Sequence, residues 1–225
     1  MRSSPTSAEG HVFFGSDEEH IHAVNSLSGR RAWKINTSAP IRSSPVVERE
    51  RIFFGNESGD FFCLDLTGNI KWRFKAKRAI TSSPVLANNI VYFGSVDATV
   101  CAVDAKTGFV IWRFRLPKPT IASPALVDNF VMIGCADYHM YCLDANSSKE
   151  IWKFPTEHQI SGTPLIFRDS VIFGSVDKNV YCLEYRTGRL RWKFATSGAI
   201  TGGVAFWQDK IYFGSIDHHL YALTV

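Results

Sequence analysis

One period constrains this chain more than any other feature: an apolar strand ending in glycine returns about every forty residues. It reads Phe14-Gly15, Phe54-Gly55, Phe93-Gly94, Ile133-Gly134, Phe173-Gly174 and Phe213-Gly214, with glycine spacings of 40, 39, 40, 40 and 40. Seventeen or eighteen residues after each of the first five glycines stands a tryptophan: Trp33, Trp72, Trp112, Trp152 and Trp192. A second strand lies between them, as in Tyr141-Cys142-Leu143-Asp144 and Tyr181-Cys182-Leu183-Glu184. A tight turn follows, seen in Leu66-Thr67-Gly68, Lys106-Thr107-Gly108 and Arg186-Thr187-Gly188. Each copy opens on small residues, such as Ser43-Ser44-Pro45, Ser82-Ser83-Pro84 or Ala122-Ser123-Pro124. Six repeats result, over 1–40, 41–79, 80–119, 120–159, 160–199 and 200–225. Self-similarity at this period marks stacked units, none of which can bury its apolar faces alone.

Each copy is expected to hold four strands, A to D. In the third, A falls near 83–86, B over 90–94, C over 99–104 and D over 110–114. Asn88-Asn89, Val96-Asp97 and Lys106-Thr107-Gly108 supply the hairpin turns, where Asn and Gly tolerate positive φ and Asp caps its own turn. Strand B is apolar at nearly every position, as in Val171-Ile172-Phe173, which suits a strand covered on both faces. Repeating such a sheet about an axis covers both faces and leaves only short edges. The predicted fold is therefore all-β: a six-bladed β-propeller whose last blade lacks its outer strand, treated as a single domain. The strand-B glycines (Gly15, Gly55, Gly94, Gly134, Gly174, Gly214) and the five strand-D tryptophans are its structural blade-docking residues, with the rings expected buried at blade interfaces.

Composition agrees with a folded chain: hydrophobic residues make up 45% and aromatics 13%. No apolar stretch reaches membrane-span length, and a net charge of +4 is too mild to argue for nucleic acid. The five cysteines, Cys63, Cys101, Cys135, Cys142 and Cys182, read as small buried apolar residues. Their odd number indicates no disulfide framework and leans towards a reducing compartment.

Gly174-Ser175-Val176-Asp177 through Trp192-Lys193-Phe194, with Tyr-x-Leu-Glu and Thr-Gly between, resembles the tryptophan-docking repeat of pyrroloquinoline-quinone (PQQ) type propellers. The resemblance covers essentially the whole chain and is specific for fold. For function it implies several classes: quinoprotein alcohol dehydrogenases, an outer-membrane assembly lipoprotein, and sensor or accessory domains fused to kinases and synthetases. The first copy departs from the pattern with Asp17-Glu18-Glu19, the second with Glu57-Ser58, and the fourth reads Ser147-Ser148 for Thr-Gly. The sixth has Val204 for the proline and ends after strand C, while Met1-Arg2-Ser3-Ser4-Pro5 aligns with a strand A, Met1 taking the place of Ile41. This reads as a stretch of a longer repeat protein, with strand D and a sixth tryptophan expected beyond Val225.

In a propeller the D–A and B–C connections share one end of the sheets. There the D–A segments carry Lys75, Lys77, Arg78, Arg115 and Lys118, with Arg42 just inside strand A, beside an acidic series that includes Asp97, Asp137, Asp177 and Asp217. This is the expected face for a protein partner or a small anionic ligand. Trp207, near the A–B turn of the last copy, is a candidate partner anchor. His20, His139, His218 and His219 gather on B–C loops without short ligand spacing, so no metal is expected. No nucleophile elbow, phosphate loop, triad, vicinal cysteine pair or Glu/Asn/Asp constellation stands apart from the turns. The reading is a non-catalytic scaffold for protein interaction or ligand sensing, without cofactor, nucleic acid or membrane span. The alternatives are a fragment of a PQQ-dependent dehydrogenase or an outer-membrane assembly-factor-like propeller. The open edge of the last copy is expected to self-associate through Leu220-Tyr221-Ala222-Leu223.

Overall fold

A computed structural model describes residues 3–224. It contains twenty-three strands in five four-stranded antiparallel sheets and one three-stranded sheet. Within each sheet the strands follow chain order, A pairing B, B pairing C and C pairing D. These are the six blades of a β-propeller, the last without an outer strand among the described residues. The chain divides into two compact units, 1–113 and 114–225. The first holds blades 1 to 3 up to Arg113; the second holds blades 4 to 6.

Blade 2 shows how the sequence builds the unit. Its strands are Val46–Glu48, Arg51–Gly55, Asp60–Asp65 and Ile70–Lys75. Strand A is later than the sequence suggests, beginning at Val46 here and at Val85 in blade 3. The preceding Ser-Ser-Pro segment stays off the ladder because proline has no N–H to donate. Its hydroxyls bond instead: Ser43 Oγ donates to Gly55 O and accepts from Gly55 N, both at 2.8 Å. Ser82 does the same at Gly94. Sideways, Ser44 N donates to Ser83 Oγ at 2.9 Å, tying adjacent blades.

The A–B turns are two residues long with left-handed backbone: Arg49 and Glu50 at φ 48° and 61°, Asn88 and Asn89 at 51° and 64°. Such turns match the twist of the strands they join, so the geometry is kept even where Glu stands instead of Asn or Gly. Strands C and D are offset by a bulge between Cys63 and Leu64, repeated at Ala23/Val24, Cys142/Leu143 and Cys182/Leu183. The extra residue falls just before the tryptophan, and the added twist turns the ring towards the next blade. Trp33 Nε1 donates to Leu66 O at 2.8 Å, Trp72 Nε1 to Ala105 O at 3.0 Å and Trp152 Nε1 to Tyr185 O at 2.9 Å.

Only Trp112 is buried; Trp33, Trp72, Trp152 and Trp192 are half-buried, which corrects the expectation that all five are enclosed. Strand D is the outer strand, so its ring can lie on the neighbouring turn and still leave an edge in water. The dense core lies instead between strands B and C of successive blades. In unit 1, Phe13, Ile21 and Ala23 of blade 1 pack on Ile52, Phe54, Phe62 and Leu64 of blade 2. In unit 2, Met132, Met140 and Cys142 of blade 4 pack on Val171, Phe173, Tyr181 and Leu183 of blade 5.

Candidate partner-binding loops

The B–C loops are built by their aspartates. Asp177 Oδ1 accepts from Asn179 N at 3.0 Å, while Oδ2 accepts from Glu157 N of the D–A segment at 2.9 Å and from Tyr181 Oη at 2.8 Å. Asp217 repeats the scheme with His219 N, Ser197 N and Tyr221 Oη. Burial opposes ionisation of Asp217, but these donors, with Ser215, outweigh it and hold the carboxyl down at about 2. For Tyr181, burial and then the bond to Asp177 push the phenol above its usual range. In unit 1, Asp97 likewise joins Thr99 N to Lys77 N, each at 3.0 Å. The acidic series is therefore spent on tying each B–C turn to the D–A segment beside it.

Blade 2 departs from this scheme, as its sequence does. Its loop is anchored by the fully buried Asn56, which donates to Thr37 O at 2.9 Å and accepts from Asp60 N at 2.8 Å. Asp60 is only 2% exposed and pairs with Arg73 at 2.7 Å and Lys75 at 3.1 Å. Burial raises its pKa, yet hydrogen bonds from Ser58, Arg73 and Lys75 leave it below the ordinary carboxylate value. Nothing in the repeat pattern flags Asp60, whose counterparts are His20, Thr99, His139 and Asn179.

Of the basic residues read from sequence, four lie in unit 1 and two in unit 2, at the D–A end of their blades. Arg42 Nε sits 2.9 Å from Glu57 and 3.9 Å from Asp17. Lys75 is taken by Asp60 and by Ser58 O at 3.0 Å. Lys77 and Arg78 are exposed, and their side chains form no ion pair among the described residues. In unit 2, Arg115 and Lys118 are exposed on their D–A segment. Trp207, 62% exposed, ends strand A of blade 6 at the opposite end of the sheet, so it shares no face with these bases.

At the A–B end, the structure opens a cleft of about 190 Å³ between blades 2 and 3, floored by Phe53 and Leu86 and rimmed by Glu48, Arg49 and Lys106. Its Arg51 donates to Ala105 O and Lys106 O, at 2.9 and 3.1 Å, so the guanidinium serves the blade joint. All five cysteines are free and buried. Burial pushes Cys63 and Cys101 up to about 11 and Cys135 and Cys142 to about 12, so none is a poised thiolate. Cys135 stands where other copies have Ser95 or Ser175 and does their work, its Sγ donating to Lys118 O at 3.3 Å. Among the described residues, no three His, Cys, Asp or Glu side chains converge as a metal site, and no helix is long and apolar enough to cross a membrane.

The family model described as outer membrane protein assembly factor BamB matches residues 1–77 and 17–225, which together span the chain. The chain belongs to this PQQ-like repeat family. The crystal structure of BamB from Moraxella catarrhalis superposes with a TM-score of 0.85 at 18% identity, over 99% of this chain and 69% of that one. The computationally designed Ika8 protein superposes with a TM-score of 0.89 at 17% identity, over 99% of this chain and 70% of that one. At such identities the likeness is one of fold. No curated protein matches the sequence.

Proposed function

We propose that this chain is a non-catalytic propeller scaffold, part of a larger repeat or multidomain protein, that engages an acidic protein segment or small anionic ligand through its D–A loops. The observation that carries this reading is the contrast at one end of unit 1. The acids there are consumed by the turns, while Lys77 and Arg78 stay exposed and unpaired. A fixed loop with free cations favours an anionic partner and speeds its approach. The family's own description, an assembly factor, agrees with a role in binding rather than in chemistry. The absence of a poised nucleophile among the five buried thiols points the same way.

The test uses a short fluorescent Asp/Glu peptide and the 225-residue chain, followed by anisotropy at low salt. Charge reversal by Lys77→Glu with Arg78→Glu should weaken binding about tenfold, and added salt should weaken the unaltered chain in the same direction. Equal affinity in the double variant would end the proposal for this loop. In parallel, titration with PQQ and calcium should give no saturable absorbance change and no dye-linked alcohol oxidation; turnover would overturn the non-catalytic reading.

A further inference from the structure

Every blade joint inside the two units follows one pattern. The forward face of a blade consists of alternate residues of strands B and C, and the next blade covers it with the opposite alternation. Blade 5 offers Ile172, Val180 and Cys182, which Ile211, Phe213, Tyr221 and Leu223 of blade 6 cover. The glycine ending strand B receives the isoleucine that opens the next repeat. A Cβ on Gly15 would lie 2.3 Å from Ile41 Cγ2, one on Gly55 2.3 Å from Ile80 Cγ2, and one on Gly174 2.2 Å from Ile200 Cγ2.

Blade 6 carries the same forward face: Trp207, Tyr212, Gly214, Leu220 and Ala222. Here it is uncovered. Trp207 is 62% and Leu220 76% exposed, whereas Phe13, Ile21 and Ala23 of blade 1 are fully buried in the same positions. A Cβ on Gly214 would meet nothing within 4 Å. The complementary face also occurs uncovered on this chain. Val12, Phe14, His22 and Val24 of blade 1 are half-exposed, while their counterparts in blade 2, Ile52, Phe54, Phe62 and Leu64, are at most 3% exposed.

We propose that the forward face of blade 6 docks on the rear face of blade 1 in a second copy of this chain, continuing the blade-to-blade interface from one molecule to the next. Continuity with an existing interface selects that occupant. Gly214, Leu220 and Ala222 repeat the Gly15, Ile21 and Ala23 that receive blade 2, and Val12, Phe14 and Val24 repeat the class of residue that blade 2 inserts. An apolar face of this kind on a soluble surface marks an interaction site. The association is heterologous, head to tail, so it involves two different patches and extends beyond a pair unless it closes. It also gives Trp207 a place: its counterpart on blade 5, Phe167, stacks on Phe206 of the next blade at 4.3 Å.

The experiment is sedimentation velocity over a range of concentrations with two single variants. Leu220→Arg blocks the forward face, and Phe14→Arg blocks the rear face. The unaltered chain should associate as concentration rises, and each variant alone should associate at least about tenfold more weakly. An equimolar mixture should then form a species that stops at a dimer, because one good forward face meets one good rear face. Circular dichroism checks that each variant folds; Trp207→Glu and Val24→Lys are the replacements if one does not. A chain monomeric at every concentration overturns the proposal. So does a mixture that fails to pair, which would indicate a symmetric contact, or association untouched by either variant, which would indicate pairing through the strand edge.

Discussion

Glycine at the end of strand B is legible in the sequence as a period, but its reason is visible only in the contact it makes. At Gly55 a Cβ would fall 2.3 Å from Ile80, whereas at Gly214 it would fall in open space. We expect Gly55→Ala to cost about 1–3 kcal/mol, as overpacking does, and Gly214→Ala to be near neutral. Urea unfolding of the two variants checks this, and equal losses would refute the contact as the cause. The fourth copy's departure has an equally local account. Ser147 Oγ donates to Asp144 at 2.7 Å, as Thr107 does to Asp104, while Ser148 adopts φ 61° where Gly108 has 75°. Asp60 shows what the sequence hides: a buried carboxylate whose cations sit on the adjacent strand at no recognisable spacing. Its folded pKa lies below the ordinary 3.8, so its stabilisation is complete above that value and fades as pH falls through it and below. Asp60→Asn should therefore cost about 1–2 kcal/mol at pH 6 and much less at pH 3. Urea midpoints at the two pH values measure the difference; a constant gap would show that ionisation is irrelevant.

Strands B, C and D fall within a residue or so of where alternation and turn residues place them, because those signals are local. Strand A does not. Its start is set by proline's missing N–H and by serine hydroxyls bonding across to strand B and to the next blade, none of which has a periodic signature. The C–D bulge is invisible for the same reason, although it aims every tryptophan that it precedes. Blade 6 differs from the others as an element: strand C, Leu220–Thr224, has a single partner strand among the described residues, whereas Asn179–Glu184 in blade 5 has two. Amides of Leu220–Thr224 should exchange markedly faster than those of Asn179–Glu184. Exchange measured residue by residue by NMR decides this, and equal protection would mean that the outer edge is covered. The same edge is the sequence-based candidate for strand-to-strand association, distinct from the face argued above.

At the scale of the whole molecule, the boundary between the two compact units falls inside strand D of blade 3, Val110–Arg115. A shared strand cannot stay paired on one side of that boundary and melt on the other without breaking its ladder. We expect a single calorimetric transition with matching calorimetric and van't Hoff enthalpies, the behaviour of one propeller domain; two resolved transitions would identify the units as independent. The sequence by itself determined the repeat, the blade count, the all-β class and the family resemblance. These rest on periodicity and turn chemistry, which every copy states again. Only the tertiary structure decided that the loop aspartates are consumed, that Lys77 and Arg78 are free while Arg42 and Lys75 are not, and that Trp207 lies at the opposite end of its blade. Those facts depend on which side chains from distant repeats meet, and a pattern shared by all six copies carries no information about the places where one copy differs in its neighbours.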